Sequence, residues 1–300
     1  MPYAKSKGAR LYFEETGSGR PIVFVHEFGA DLREWEQQVR WFSREYRCIR
    51  FNARGYPPSD VPESDDLYGY EHSAGDILAV MDELGIERAH IVGLSMGAYA
   101  TLQFGLRHPG RALSLVAAGV GSGAPREVRV EFKAHSEALA QRFLNEGSPA
   151  IAREMGLAAT RVQLLTKDPR GWQAFVEHLS EHSAVGSAYT LRRYQALRPS
   201  LFDFEAEFAA CALPTLLVVG DEDDPCLETN LFLKRTMRTA QLWVVPGTGH
   251  AVNLEEPAAF NAGVQGFLSA VDRGCWRTRD PRAVGGGALP VARASASADK

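Results

Sequence analysis

Five short apolar runs constrain the fold of this 300-residue chain more than any other feature. They read PIVFVH (Pro21–His26), CIRFNA (Cys48–Ala53), AHIVGL (Ala89–Leu94), LSLVAAGV (Leu113–Val120) and PTLLVVG (Pro214–Gly220). Each is nearly continuous and rich in β-branched or aromatic residues. That is the pattern of a strand buried on both faces, not of one with a wet side. Helical spacing fills the gaps: Trp35, Val39 and Phe42; then Ala74, Ile77, Leu78 and Met81 on one face of Tyr68–Leu84; then a segment opening at Ser95 and stopping before Pro109. Such alternation calls for an α/β fold, a mostly parallel central sheet flanked by helices on both faces. Ala9–Phe13, ahead of the Gly17-Ser18-Gly19 turn, and Gln241–Val245 add strands, and a last helix covers about Glu256–Val271.

The rhythm changes between Gly121 and Ala212. Glu127–Phe143, Ala150–Thr166, Gly171–Ser180 and Ala184–Ala196 read as helices, with no strand among them. The division expected is therefore a core of residues 1–120 and 213–271, interrupted by a helical block at 121–212. From Asp272 onward Gly, Ala, Ser and Arg dominate and periodicity is lost, so residues 272–300 are expected to form a flexible tail.

Composition narrows the function. Hydrophobic residues make up 45% of the chain, enough for a substantial core, and the net charge of -4 offers no basic surface for a phosphate backbone. Nucleic-acid binding is not expected. Cys48, Cys211, Cys226 and Cys275 form no C-x-x-C pair and read as reduced thiols. No apolar run approaches the roughly 20 residues of a membrane span, and the first residues lack a signal-peptide stretch, so a soluble cytoplasmic protein with no membrane association is expected. Nothing in the sequence fixes the oligomeric state.

The sharpest chemical signal is Gly93-Leu94-Ser95-Met96-Gly97, set between a strand and a helix. A turn that tight needs small flanking residues, holds its central serine in a strained conformation and lifts the hydroxyl above the sheet. The helix that starts there aims N–H groups at developing negative charge. A serine hydroxyl needs a base, and the base needs a carboxylate. The loop after PTLLVVG offers Asp221, Glu222, Asp223 and Asp224.

With VHEFG, NARGYPPSD, GLSMG, VVGDEDDP and PGTGHAVNLEEP in this order, the chain resembles the α/β-hydrolase superfamily from about Ala9 to Val271, within its small bacterial serine esterase-like hydrolases. The resemblance implies the α/β-hydrolase fold with a helical cap inserted after the sixth strand. It implies Ser95 as nucleophile, His250 of Gly247-Thr248-Gly249-His250 as base, and a family G-x-x-D spacing that selects Asp223 over Asp224 as the acid. It also implies an oxyanion hole of two backbone N–H groups, from Met96 and from Phe28. His26 and Glu27 stand next to that hole and are possible substrate-site residues, His26 as a shaper of the loop. Glu27 departs from the family, which carries glycine there. A carboxylate pointing into the hole would repel the oxyanion, so the expectation is that Glu27 turns outward toward Arg54. The other reading is that it positions water or substrate.

These residues imply acyl transfer to water on a small or medium, partly apolar ester, with no metal and no organic cofactor. Phe132, Phe143, Trp172, Phe175, Tyr189 and Tyr194 would divide between packing of the cap and lining of the pocket. Serine at the elbow speaks against haloalkane dehalogenases and epoxide hydrolases, which use aspartate. HEFGAD lacks the Gly-Pro-Gly signature associated with carbon–carbon bond hydrolases, although these, like lactonases, remain alternatives. His178-Leu179-Ser180-Glu181-His182 fits an inverted zinc-protease pattern, with Glu255 or Glu256 as a third ligand, but lies away from the elbow. A receptor that keeps the fold without turnover is the alternative of another class.

Overall fold

The apolar runs assemble into one sheet. In the computed structural model, which describes residues 2–283, its strands are β1 (Tyr3–Ser6), β2 (Ala9–Thr16), β3 (Arg20–Val25), β4 (Tyr46–Phe51), β5 (Ala89–Leu94), β6 (Ala112–Ala118), β7 (Thr215–Gly220) and β8 (Ala240–Val245). Their order is β1-β2-β4-β3-β5-β6-β7-β8. Pairing is antiparallel at β1–β2 and β2–β4 and parallel from β4 through β8. Strand β1 has no counterpart in the sequence reading. Its four residues, YAKS, are too short and too polar to announce a strand, and β1 exists only as the outer arm of a hairpin with β2.

Two helical layers cover the sheet, and side-chain alternation along β3 shows both. Val23 and Val25 face one core with Ala74, Ile77, Val80 and Met81 of α2 (Tyr70–Glu83) and with Tyr99 and Leu102 of α3 (Met96–Arg107). Ile22 and Phe24 face the other, with Val39 and Phe42 of α1 (Glu36–Phe42) and the carboxy-terminal helix. Burying each such side chain contributes about 1.5–3 kcal/mol, so the central strands are held from both faces.

The helical block lies between β6 and β7, after the sixth strand. It comprises α4 (Arg129–Glu146), α5 (Ser148–Gly156), α6 (Val162–Lys167), α7 (Pro169–Ser180), α8 (Ala184–Tyr189), a π-helical turn over Thr190–Gln195, and α9 (Glu205–Ala210). The single helix expected over Ala150–Thr166 is two. Trp172 donates its indole N–H to the Gly156 carbonyl at 2.6 Å and ends α5, and α6 restarts after Arg161. Phe143, Ile151, Leu164, Trp172, Phe175 and Leu179 form a third core, which also takes in Ala30 from the loop after β3.

After β7 come α10 (Asp224–Thr236), β8, α11 (Val252–Glu255) and α12 (Pro257–Asp272). The flexible tail expected from residue 272 does not hold for its first part. Asp272 accepts hydrogen bonds from Arg20 at 2.8 Å and Tyr46 at 3.2 Å. Trp276 stands edge-on to Phe267, with ring centres 4.6 Å apart, and donates to the Thr239 carbonyl at 2.9 Å. Aromatic burial fastens a segment whose composition suggested none. Residues 284–300 lie outside the described residues. Among the described residues, no helix is long and apolar enough to cross a membrane.

Candidate active site

Ser95 sits where β5 turns into α3, with φ 53° and ψ −110°. It is the one residue other than glycine with positive φ among the described residues, and such a conformation costs about 1–3 kcal/mol and persists only where the surroundings impose it. They do. A Cβ at Gly93 would run into the Gly97 carbonyl, and one at Gly97 into the Val25 carbonyl of the neighbouring strand. The Ser95 N–H donates to Ala118 of β6 at 2.8 Å. Small flanking residues thus let the turn close, and sheet pairing holds it strained.

Asp223 and His250 come from the loops after β7 and β8. Nδ1 of His250 lies 2.9 Å from Oδ2 of Asp223, and both residues are buried. Asp224 begins α10 and is exposed, as are Asp221 and Glu222, so Asp223 is the carboxylate that meets the imidazole. The sequence feature that singled it out was its offset from the end of β7. Glu255, in the first turn of α11, holds the histidine loop by accepting from the N–H groups of Gly249 at 2.6 Å and Ala251 at 3.0 Å. Burial disfavours the imidazolium of His250, but the charge and hydrogen bond of Asp223 outweigh it, so its pKa stands well above the usual histidine range.

Phe28 and Met96, the expected oxyanion donors, flank the site from the loop after β3 and from the first turn of α3. Among the described residues neither N–H pairs with a backbone carbonyl. Tyr194, on the π-helical turn, donates its hydroxyl to the Met96 carbonyl at 2.9 Å and so braces the elbow from the helical block. His26 is buried, and both ring nitrogens are engaged. Nδ1 faces the Glu27 carbonyl at 2.7 Å, and Nε2 accepts from the Ala53 N–H at 3.0 Å. Burial lowers its pKa to about 4. It is a neutral strut that joins the β3 and β4 loops.

Glu27 does not do what the sequence suggested. It points inward, at 1% exposure, and its partner is not Arg54. Arg54 is committed to Asp76, through Nε–Oδ2 at 2.8 Å and Nη2–Oδ1 at 2.5 Å. Oε2 of Glu27 instead meets Nη2 of Arg161 at 2.5 Å and stands 3.7 Å from Nε2 of His250. The physical reason is that a buried carboxylate requires a counter-charge, and the break between α5 and α6 supplies one. Oε1 of Glu27 and Nε of Arg161 are both buried without a partner. The Glu27 N–H donates to Oε2 of Glu34 at 3.1 Å. Burial first, and then the charge of Glu27, raise the Glu34 carboxyl well above its ordinary range. A carboxylate charge about 4 Å from a forming oxyanion would oppose it by about 4 kcal/mol at an effective dielectric of about 20.

The sequence reading missed Arg161 and named Glu255 only as a possible zinc ligand, not as the acceptor that holds the histidine loop. Arg161 carries no motif, and its partner lies 134 positions away. The glycine-to-glutamate departure at 27 was the available signal, since it demanded a cation that local spacing could not name.

The aromatic residues of the helical block are mostly committed to packing: Phe143, Trp172 and Phe175 in the third core, Tyr189 edge-on to Tyr68, and Phe132 under the Arg198 guanidinium. The zinc-like pattern is dispersed. Glu181 pairs with Arg33, and Nε2 of His182 faces Asp31 at 3.2 Å. Among the described residues, Asp223, Cys226 and His250 form the grouping with metal-ligand spacing. Burial pushes the Cys226 thiol up, and its Sγ–H donates to the Gly119 carbonyl at 3.3 Å, so it serves as a protonated neighbour of His250 rather than a thiolate.

A family model described as alpha/beta hydrolase fold matches residues 20–257. The chain is 27% identical over 256 residues to 3-oxoadipate enol-lactonase 1 of Acinetobacter baylyi, covering 83% of this chain and 89% of that one. It is 28% identical over 274 residues to a 2-hydroxy-6-oxononadienedioate/2-hydroxy-6-oxononatrienedioate hydrolase of Comamonas testosteroni, covering 87% and 91%. Among solved structures, a thermophilic esterase from Thermogutta terrifontis superimposes with a TM-score of 0.78 at 26% identity, over 90% of this chain and 98% of that one.

Proposed function

The chain belongs to the alpha/beta hydrolase fold family, and from that premise we propose that it is a serine hydrolase cleaving a carboxylic ester of a small to medium, partly apolar substrate through an acyl-enzyme. The observation that carries this reading is the buried Asp223–His250 pair, 2.9 Å apart, in the loops that follow β7 and β8, on the same sheet whose β5 ends in the strained Ser95.

Ser95 attacks the ester carbonyl while His250 takes its proton at Nε2. Asp223 fixes the tautomer through Nδ1 and stabilises the imidazolium. The N–H groups of Phe28 and Met96 receive the oxyanion. His250 then protonates the leaving alkoxide, and in the second half-reaction it activates water against the acyl-enzyme. The helical block acts as a cap. Because His250 must be neutral to act as base and its pKa is raised, turnover rises with pH through a value above the ordinary imidazole range. The four free thiols support a reducing, cytoplasmic setting.

Lactone or carbon–carbon bond hydrolysis by the same serine is the alternative that the enol-lactonase and dienedioate hydrolase relatives favour. A receptor without turnover is favoured by one observation, the Glu27 carboxylate beside His250. Labelling with a fluorophosphonate, wild type beside Ser95→Ala, separates these. Labelling that disappears in Ser95→Ala supports the hydrolase. A wild type and a Glu27→Gln protein that both stay unlabelled at all pH values from neutral to alkaline refute it in favour of the receptor. Esters, lactones and carbon–carbon substrates are then compared on the labelled protein.

A further inference from the structure

Arg161 is a buried cation with unused capacity beside the candidate catalytic histidine. Of its guanidinium donors, Nη2 holds Glu27 at 2.5 Å and Nη1 holds the Thr160 carbonyl at 2.8 Å, while Nε is buried with no partner. The guanidinium plane lies over the Phe175 ring, 4.6 Å from its centre, so its direction is fixed before anything binds. A guanidinium presents a planar fork matched to a carboxylate's two oxygens. Glu27 fills only part of that fork, through one oxygen, and leaves its other oxygen unpartnered as well. Two buried orphan polar atoms on one ion pair are costly. A fully structural pair would have satisfied them, and a ligand with two carboxylate oxygens would do so for the arginine.

We propose that Arg161 is an anion anchor in the substrate pocket, that its ligand is a carboxylate carried by the substrate, and that Glu27 occupies the anchor in the free enzyme. This rests on the serine-hydrolase reading above for the identity of the pocket. The anchored oxygen of Glu27 is also 3.7 Å from Nε2 of His250, so a substrate carboxylate taking its place stands only a few bonds from the scissile carbonyl. The class that fits is the hemiester of a short dicarboxylic acid, or a lactone bearing a carboxylate. A neutral ester has no charge to exchange for that of Glu27. An anionic substrate replaces it one for one on Arg161. Glu27, deprived of its counter-charge, is displaced from the guanidinium. Its displacement removes negative charge from beside Nε2 of His250. Discrimination therefore appears in kcat as well as in KM.

The test uses glutarate as the probe and the Ser95→Ala protein, so that binding is read without turnover. Titration followed by calorimetry and thermal shift is expected to show saturable binding. Adding Glu27→Gln frees the fork and tightens binding roughly tenfold to hundredfold, the range of one charge-assisted contact. Adding Arg161→Met abolishes it. Should Arg161→Met fail to fold, the Glu27→Gln arm decides alone. Glutarate that binds only once Glu27 is replaced also supports the proposal. It is overturned if glutarate binds neither protein, if Glu27→Gln leaves the affinity unchanged, or if a folded Arg161→Met binds as well as its parent. Fluorophosphonate labelling of the wild type separates the two readings. A labelled enzyme that ignores glutarate loses the anchor and keeps the hydrolase, whereas one that binds glutarate through Arg161 but stays unlabelled even with Glu27→Gln keeps the anchor and loses the hydrolase. In the labelled case, the preference for phenyl hydrogen glutarate over phenyl butyrate should collapse in Arg161→Met.

Discussion

Two buried arginine–carboxylate pairs flank the loops around the site, Arg54–Asp76 and Arg161–Glu27. By exposure they are alike, at 5% and 1% in the first and 5% and 2% in the second. By completeness they differ. Asp76 receives Arg54 at both oxygens and Ser6 at one, and Arg54 gives its remaining donors to the carbonyls of Lys7 and Leu67 and to Ser6. Every valence is spent on the fold. Arg161 and Glu27 share one contact, and each keeps a buried polar atom unpartnered. A saturated pair reads as architecture. An unsaturated one beside a candidate catalytic histidine reads as a site with capacity held in reserve.

If that contrast is right, the largest loss of stability should come from the saturated pair. Arg54→Met leaves Asp76 buried and uncompensated, and chemical denaturation should show a loss of about 3–5 kcal/mol; Asp76→Asn is the companion if the first does not accumulate folded. Arg161→Met should lose less, about 2 kcal/mol, because Arg161 and Glu27 share a single contact where Arg54 and Asp76 share two. Equal losses from the two would erase the distinction.

A subtler difference lies in pH. Glu34 belongs to the Glu27 side, and its folded pKa is raised by burial and by the Glu27 charge. Above the ordinary glutamate range the unfolded chain gives up that proton while the folded protein keeps it. Stability is therefore greatest below that range and declines as pH rises through the folded value. Glu34→Gln should flatten the decline in denaturation midpoints measured across pH, and an unchanged slope would remove Glu34 from the network. The smallest effect should come from Arg142, which joins Glu146 and Glu154 on the exposed face of the helical block. Arg142→Ala should leave the midpoint where it was, and a measurable drop would show that the count of contacts matters more than burial.

Much of this molecule is legible from short stretches of sequence. The five apolar runs become central strands, and Ser95 and Asp223 take the positions that their motifs implied, because the elbow and the post-strand loop are built from neighbours in the chain. His250 was read from its own loop, and it lies there 2.9 Å from Asp223. What escaped depends on partners outside the segment itself. Strand β1 exists through its hairpin, the break before Arg161 through Trp172, and the packed Asp272–Trp276 stretch through Phe267, Thr239 and Arg20. Glu27 shows the limit most plainly. Sequence marked it as anomalous and named a cation in the adjacent loop, but Arg54 was already spent on Asp76.

The Arg161–Glu27 contact also makes the helical block and the loop after β3 one exchangeable unit. Anyone replacing the block with that of a relative takes away the cation that Glu27 meets, so residue 27 has to be changed together with the block.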